Sequence, residues 1–278
     1  MFERALRYDA KRVIVSGGGG SGMGAAVVDQ LSELGAEVHV FDLKEPSRKT
    51  AGFHRVDLSD PDAISEAVEG VGGAVDALFN CVGVPGRPAF DDLTTMIVNF
   101  VAVRHLTEMV VERMPNGGAV ATIASTAGVG WEEKLPVFRP LLETTTFDDA
   151  VSWCREHPED IEPGYIPAKQ AIVAWTHYAC NELGARGIRI NCTMPGPTET
   201  PMLPSLKAKV VDGFWEAYPI PLGRFQTPDE QAAPLVFLNS AGASAITGSA
   251  LITDGGSIGA AAAGAIELPP LKRGAAAA

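Results

Sequence analysis

Tyr165 and Lys169 stand either side of Ile166, Pro167 and Ala168, a spacing that sets a phenol and an ammonium one helical turn apart on one face. A free phenol ionises near pH ~10, too high for a base at neutral pH, and a nearby cation lowers that by stabilising the phenolate. Such a pair can move a proton on or off an oxygen. Taken by itself the pair proves little, because a tyrosine and a lysine four apart also occur on ordinary surface helices. A second signature lies near the N-terminus, where Ser16-Gly17-Gly18-Gly19-Gly20-Ser21-Gly22-Met23-Gly24 follows the apolar run Val13 to Val15 and opens a helix-compatible stretch. Glycines in that context let the chain turn sharply, bring bare backbone against a pyrophosphate and seat a helix N-terminus facing the anion. A purely structural turn is the plain alternative.

Asp42 ends the second apolar run, where a carboxylate can accept hydrogen bonds from an adenosine ribose and would repel a 2′-phosphate. NAD is therefore favoured over NADP. Neither Leu43 nor Ser21 offers the cation that a phosphorylated ribose wants, while Lys44 and Arg48 weigh in the other direction. Asp57, followed by Leu58, sits where a carboxylate could meet the adenine amino group, or where a solvated turn would place one.

The elements that must position these groups are legible as alternation. Short apolar, mostly β-branched runs at Val13 to Val15, Val38 to Phe41, Ala77 to Phe79, Ala119 to Ile123, Ile188 to Cys192 and Leu251 to Thr253 are separated by helix-compatible stretches from about Gly24, Pro61, Asp91, Tyr165 and Pro228. That pattern implies an α/β fold, a doubly wound parallel sheet covered by helices on both faces. Thr227-Pro228 supplies an N-cap hydroxyl and an N1 proline, with Asp229 and Glu230 in the first turn. No linker divides the 278 residues, so residues 1–278 form one domain on this reading. The Ala-rich end, from about 260 to 278, reads as weakly ordered.

Composition narrows the function classes. A net charge of −12 without any basic stretch argues against nucleic acid or an anionic membrane as partner. The charged first dozen residues lack the apolar core of a signal peptide, and no run approaches a membrane span, so a cytosolic location is expected. Four cysteines without Cys-x-x-Cys spacing and five histidines without helical pairing give no metal site and suggest reduced thiols.

In order, Gly18-x-x-x-Gly22-x-Gly24, Asn80, Asn99, Ser125, Tyr165-x-x-x-Lys169, Pro195-Gly196 and Asp254-Gly255-Gly256 resemble the motif series of short-chain dehydrogenase/reductases. The resemblance spans roughly Arg12 to Ser257 and implies a Rossmann-type fold, a nicotinamide cofactor and an Asn-Ser-Tyr-Lys catalytic set. It implies that Tyr165 is the acid/base, that Ser125 holds the substrate oxygen, and that Lys169 lowers the tyrosine pKa and binds the nicotinamide ribose. Asn99 would hold a water in a proton relay leading out from the lysine. On the cofactor side it implies contacts from Gly18, Ser21, Gly22, Met23 and Gly24, from Asp42, Asp57 and Leu58, and from the Asn80-Cys81-Val82-Gly83 segment through Asn80, Val82 and Gly83. Pro195, Gly196, Thr198 and Thr200 resemble the turn that meets the nicotinamide, Thr200 at the carboxamide position; a threonine capping the next helix is the alternative there.

Two departures stand out. Gly17 takes the place of the threonine usual before the first motif glycine, which leaves the rigidity of the loop open. Between Ser125 and Tyr165 lie 39 residues, far more than the family's spacing, so about 130–163 is an insertion. Phe147 to Trp153 looks helical, with Arg155-Glu156-His157-Pro158 ending that helix. The insertion resembles a subgroup containing bacterial 3-alpha-hydroxysteroid dehydrogenase/carbonyl reductase and coniferyl-alcohol dehydrogenase. A helical flap beside the pocket, covering a face used elsewhere in the family for subunit packing, is one reading; a surface elaboration is the other.

After Thr200 the chain carries Met202, Leu203, Leu206, Val210, Phe214 and Trp215, with Val129 and Trp131 as further wall candidates, which suggests a hydrophobic alcohol or ketone unless these residues are core. The expected protein is an NAD-dependent oxidoreductase and a homo-oligomer, dimer or tetramer. An NAD(H)-sensing protein that has lost catalysis is the competing class, and it would be expected to lack part of the catalytic set.

Overall fold

The computed structural model describes residues 2–208 and 213–269. Seven strands form one parallel sheet: β1 (Arg12–Ser16), β2 (Glu37–Asp42), β3 (Gly52–Arg55), β4 (Ala77–Asn80), β5 (Ala119–Ile123), β6 (Arg189–Pro195) and β7 (Ser249–Thr253). Their spatial order is β3-β2-β1-β4-β5-β6-β7, so the chain winds outward from β1 in one direction and from β4 in the other. The expected doubly wound, Rossmann-type sheet is what forms. Its reversal point lies between β1 and β4, which opens a crevice at their carboxyl ends.

Each central strand is buried because both faces are covered. One face packs Ile14, Phe41, Leu78 and Val120 under the helices Pro61–Val71, Ala102–Val111 and Tyr165–Ala185. The other packs Val13, Val15, Phe79 and Ala121 under Met23–Glu33 and Pro228–Asn239. The Pro228 helix begins as its sequence suggests: Thr227 accepts from the Glu230 N–H at 3.3 Å while the Glu230 carboxylate accepts from the Thr227 N–H at 2.9 Å. β3 escaped sequence reading because Phe53 is its single large apolar residue and the strand lies at the sheet's edge.

The insertion is helical throughout much of its length: Trp131–Leu142, Phe147–Glu156 and the short Pro158–Ile161. The second was expected. The first was not, because Pro136 and Pro140 lie inside it, each a local cost of about 3 kcal/mol. Tertiary burial outweighs that cost, since Phe138, Leu141 and Leu142 sink into the main core together with Ala150, Trp153 and Ile161. The insertion is thus docked on the Tyr165–Ala185 helix and on the turn Ile97–Val101, and its apolar residues join the main core.

Arg104 fastens it. This buried guanidinium donates to the Leu141 carbonyl at 2.9 Å, to Thr144 Oγ1 at 2.8 Å and to the Thr144 carbonyl, and pairs with Glu108 at 2.6 Å. At the C-terminal end Ser257–Ala262 is helical, and residues 270–278 of the expected weakly ordered tail lie outside those described. Among the described residues no helix is long and apolar enough to cross a membrane.

Replacing Arg104 by Met keeps the packing stem but takes the guanidinium donor away from the Thr144 carbonyl and the cation away from Glu108, so it should lower folding stability by about 2 kcal/mol. A urea titration should show this as a lower midpoint at unchanged slope.

Candidate active site

At the reversal point the turn after β1 runs against the turn after β4. The Cys81 N–H donates to the Ser16 carbonyl at 2.9 Å, and a β-carbon on Gly17, whose φ is +72°, would lie 2.6 Å from the Val82 nitrogen. No threonine could stand there, which explains the departure at Gly17. The missing hydroxyl is supplied one residue earlier by Ser16, whose Oγ lies 3.4 Å from Asn80 Oδ1. The loop is also fixed, contrary to the freedom that its glycines would allow. The Gly17 N–H donates to the Phe41 carbonyl at 2.9 Å and the Gly19 N–H to Asp42 Oδ2 at 2.8 Å.

Gly18 packs down onto Val28 and Val40, and a β-carbon on Gly24 would lie 2.0 Å from the Gly17 carbonyl oxygen. Above them Gly20 and Gly22 face open space. The Met23–Glu33 helix begins there with Gly22 as its N-cap, no side-chain cap and no acidic residue in its first turn. Its first N–H groups, beside Ser21, are therefore suited to an anion such as a pyrophosphate.

Asp42 holds this edge of the crevice, its second oxygen accepting from the Lys44 N–H at 2.9 Å. Arg48, the cation that weighed toward NADP, is tied to Asp29 at 2.7 Å and Glu33 at 3.2 Å. Asp57 turns one oxygen to the N–H and hydroxyl of Ser59, and Leu58 is 6% exposed in the core. What Leu58 can offer a ligand is backbone.

Asn80 is a cross-brace. Fully buried, its amide donates to Thr107 at 2.9 Å and Thr122 at 3.3 Å, tying β4 to β5 and to a covering helix. Beyond it Val82 and Gly83 line the path to Asn99, which lies in a π-helical turn, Ile97–Val101. Asn99 takes both backbone groups of Val84, accepting from its N–H at 2.7 Å and donating to its carbonyl at 3.0 Å. Its side chain therefore fixes the chain beside Gly83, where a β-carbon would lie 3.4 Å from Asn99 Oδ1 and 3.8 Å from Lys169 Nζ.

Ser125 follows β5 and caps a short 3₁₀ turn, Thr126–Gly128, by accepting the Ala127 N–H at 3.1 Å. Gln170, one residue beyond the lysine, donates to the Val129 carbonyl at 3.1 Å and pins that turn to the Tyr165 helix. Ser125 and Tyr165 are hydrogen-bonded to one another. Lys169 is 3% exposed, donates to the Ile123 carbonyl at 2.9 Å and places Nζ 5.7 Å from the Tyr165 ring centroid. Burial raises the Tyr165 pKa above that of a free phenol, opposed by the Ser125 hydrogen bond. Burial also pulls the Lys169 ammonium down to about 8, against the thiols of Cys192 and Cys81 nearby, which favour its charged form. The Ser125 hydrogen bond is thus one group that eases ionisation of the phenol, with the Lys169 ammonium over its ring.

On the far side, β6 ends at Pro195 and Gly196 packs on Asp254. Thr198 is 7% exposed, its hydroxyl donating to the Gly196 carbonyl and accepting from Gln231. Thr200 does not cap the next helix, Leu203–Lys207, whose N-cap is Met202. The excursion that follows Thr198 is tied at its base, where the Glu199 N–H donates to the Gln226 carbonyl at 2.9 Å and the Gln226 N–H donates to the Pro197 carbonyl at 3.2 Å. Phe214 is buried there against Trp215 and Tyr218, Phe225 packs on Trp215, and Leu203 and Leu206 stay partly exposed. Val210 lies outside the described residues. Val129 is 46% exposed, whereas Trp131 stacks on His177 at 4.6 Å and serves the insertion's packing.

With this geometry in place, the comparisons with known proteins decide the family. Residues 11–137 match the family profile described as short chain dehydrogenase, and residues 155–257 one described as Enoyl-(Acyl carrier protein) reductase. The chain is 30% identical over 252 residues to a coniferyl-alcohol dehydrogenase of Pseudomonas sp. (strain HR199), covering 90% of this chain and 98% of that protein. It belongs to the short-chain dehydrogenase/reductase family. A 2,5-dichloro-2,5-cyclohexadiene-1,4-diol dehydrogenase of Sphingobium indicum is 32% identical over 88% of this chain and 96% of its own. Among solved structures, the 3-alpha-hydroxysteroid dehydrogenase of Pseudomonas sp. B-0831 complexed with NADH superposes with a TM-score of 0.76 at 28% identity, covering 92% of this chain and all of that one. The chain is thus an oxidoreductase of that family.

Lys169 gives a direct check on the electrostatics. Its pKa is depressed on folding, so the unfolded chain binds more protons between pH about 8 and 10.5, and stability from this group rises across that window. Lys169→Met removes the rise. Its stability relative to the parent should be most favourable below pH 8 and fall by on the order of 3 kcal/mol by pH 10.5, in urea titrations run at several pH values.

Proposed function

We propose that this chain transfers hydride between NAD(H) and a hydrophobic secondary or aromatic alcohol or its ketone, hydroxysteroids included. The observation that carries the reading is the meeting of Ser125, Tyr165 and Lys169 at the carboxyl end of β5 and the first turns of the Tyr165–Ala185 helix, beside the crevice at the sheet's reversal point. When bound, the nicotinamide supplies the hydride acceptor or donor. The residues present suit such a cofactor: an uncapped helix N-terminus under open space, Asp42 at the ribose position, and Arg48 neutralised by Asp29 and Glu33.

The chain's own residues account for the proton. The Ser125 oxygen receives the Ala127 N–H, and on substrate binding its hydroxyl turns from Tyr165 to the substrate oxygen, holding that oxygen within reach of the phenol. Tyr165 gives its phenolic proton to that oxygen in reduction, or takes one from it in oxidation. Lys169 sits directly behind the phenol, where its charged form favours the phenolate. Asn99 holds the Val84 backbone so that Gly83 keeps its place against the ammonium. The apolar excursion 199–225 and exposed Val129 favour a hydrophobic substrate, in keeping with the coniferyl-alcohol and 3-alpha-hydroxysteroid names of two relatives. Self-association as a dimer or tetramer belongs to the same proposal.

A panel of hydroxysteroids, aromatic allylic alcohols and simple secondary alcohols, followed through NADH formation, tests the reaction; no turnover with any of them despite NADH binding would defeat it. Tyr165→Phe should abolish turnover, by on the order of 10³-fold or more, while NADH affinity stays within about threefold. Asp42→Ala should narrow the ratio of NAD to NADP efficiency by at least about tenfold, and an unchanged ratio would count against the cofactor assignment.

A further inference from the structure

Between the insertion and the catalytic helix stands one residue, Gly164. Its backbone, φ 67° and ψ −62°, is that of the rare γ-turn in the left-handed half of conformational space. The turn is closed by the Tyr165 N–H donating to the Pro163 carbonyl at 2.7 Å. A side chain is disfavoured twice over. The conformation is strained for any L residue, and a β-carbon would lie 3.0 Å from the Asp92 α-carbon and 3.0 Å from the Thr95 β-carbon. The neighbouring helix Asp92–Met96 runs straight into the π-turn that carries Asn99.

Tyr165 and Lys169 share a helix but are held differently. Lys169 lies one turn inside it, among the buried residues Ala168, Ala171 and Ile172, and is anchored by the Ile123 carbonyl. Tyr165 is the first helical residue. Helix ends fray unless something fixes them, and no side chain caps this one. We propose that Gly164 is a positioning residue for Tyr165: its γ-turn, wedged against Asp92 and Thr95, sets where the phenol stands relative to Ser125 while leaving Lys169 and the cofactor crevice unaffected. The inference rests on the catalytic reading of Tyr165.

Two variants test it. Gly164→Ala forces the turn away from Asp92 and Thr95. A single glycine inserted between Gly164 and Tyr165 relaxes the turn without adding a side chain, and decides the matter should the first variant fail to fold. Each should lower kcat by on the order of 10²-fold, with KM for NAD and the dissociation constant of NADH within about threefold of the parent. An independent readout needs no substrate. The near-ultraviolet titration of Tyr165, taken as parent minus Tyr165→Phe, should shift in both variants, because the phenol changes its relation to Ser125, to Lys169 on its own helix, and to Cys81 and Cys192 around that lysine. Unchanged kcat and an unshifted titration in a folded variant overturn the inference. So does loss of NADH binding in proportion to kcat, which would mark general disruption. If the parent turns over no alcohol, the functional reading fails, and the titration alone judges the positioning role.

Discussion

Everything in this molecule that touches chemistry depends on how closely two turns approach one another at the centre of the sheet. A parallel sheet wound outward in both directions must leave its two innermost strands, β1 and β4, without a covering connection between them at their carboxyl ends. Here the gap is narrowed until Gly17 meets the Val82 nitrogen with no room for a side chain. Asn80, buried with Ser16, Thr107 and Thr122, holds the strands in register beneath that contact. The glycine loop is rigid because its N–H groups are spent on Phe41 and Asp42 below, while the N–H groups of the following helix remain turned to the crevice.

Burial sets the chemistry on the opposite wall. Removing Tyr165 and Lys169 from water works against the charged form of each, raising the phenol and lowering the ammonium. Their ordinary values are thereby spread away from ionisation together, and the hydrogen bond from Ser125 and the thiols beside Lys169 only partly oppose this. A proton passed through this site moves among groups whose charges are costly, which is the condition under which a hydroxyl and an ammonium placed a few ångström apart exert large effects.

The insertion changes what the core is. Instead of lying on the surface it contributes Phe138, Leu141, Ala150, Trp153 and Ile161 to the same cluster as Phe41 and Leu78. It covers the outer side of the helices that carry Asn99 and Tyr165, and it re-enters the catalytic helix directly at Tyr165. A segment that sequence comparison treats as an addition is therefore mechanically continuous with the catalytic residues.

Much of this was legible in the sequence. The alternation of short apolar, mostly β-branched runs with amphipathic stretches determined the sheet class, because burial on two faces demands that pattern, and the glycine loop, Asp42, Ser125 and Tyr165-x-x-x-Lys169 are local signals whose spacing survives folding. Thr227 and Glu230 announced their helix for the same reason, capping being a matter of neighbouring residues. What tertiary structure alone decided involves partners distant in the chain: that Gly17 is demanded by Val82, that Ser16 provides the hydroxyl looked for at Gly17, and that Asn99 is turned onto Val84. It also decided that a helix carrying Pro136 and Pro140 forms, since the apolar area it buries exceeds a local cost that sequence can see. Local rules fix what a segment prefers; the close packing of segments far apart in sequence fixes where each functional atom stands.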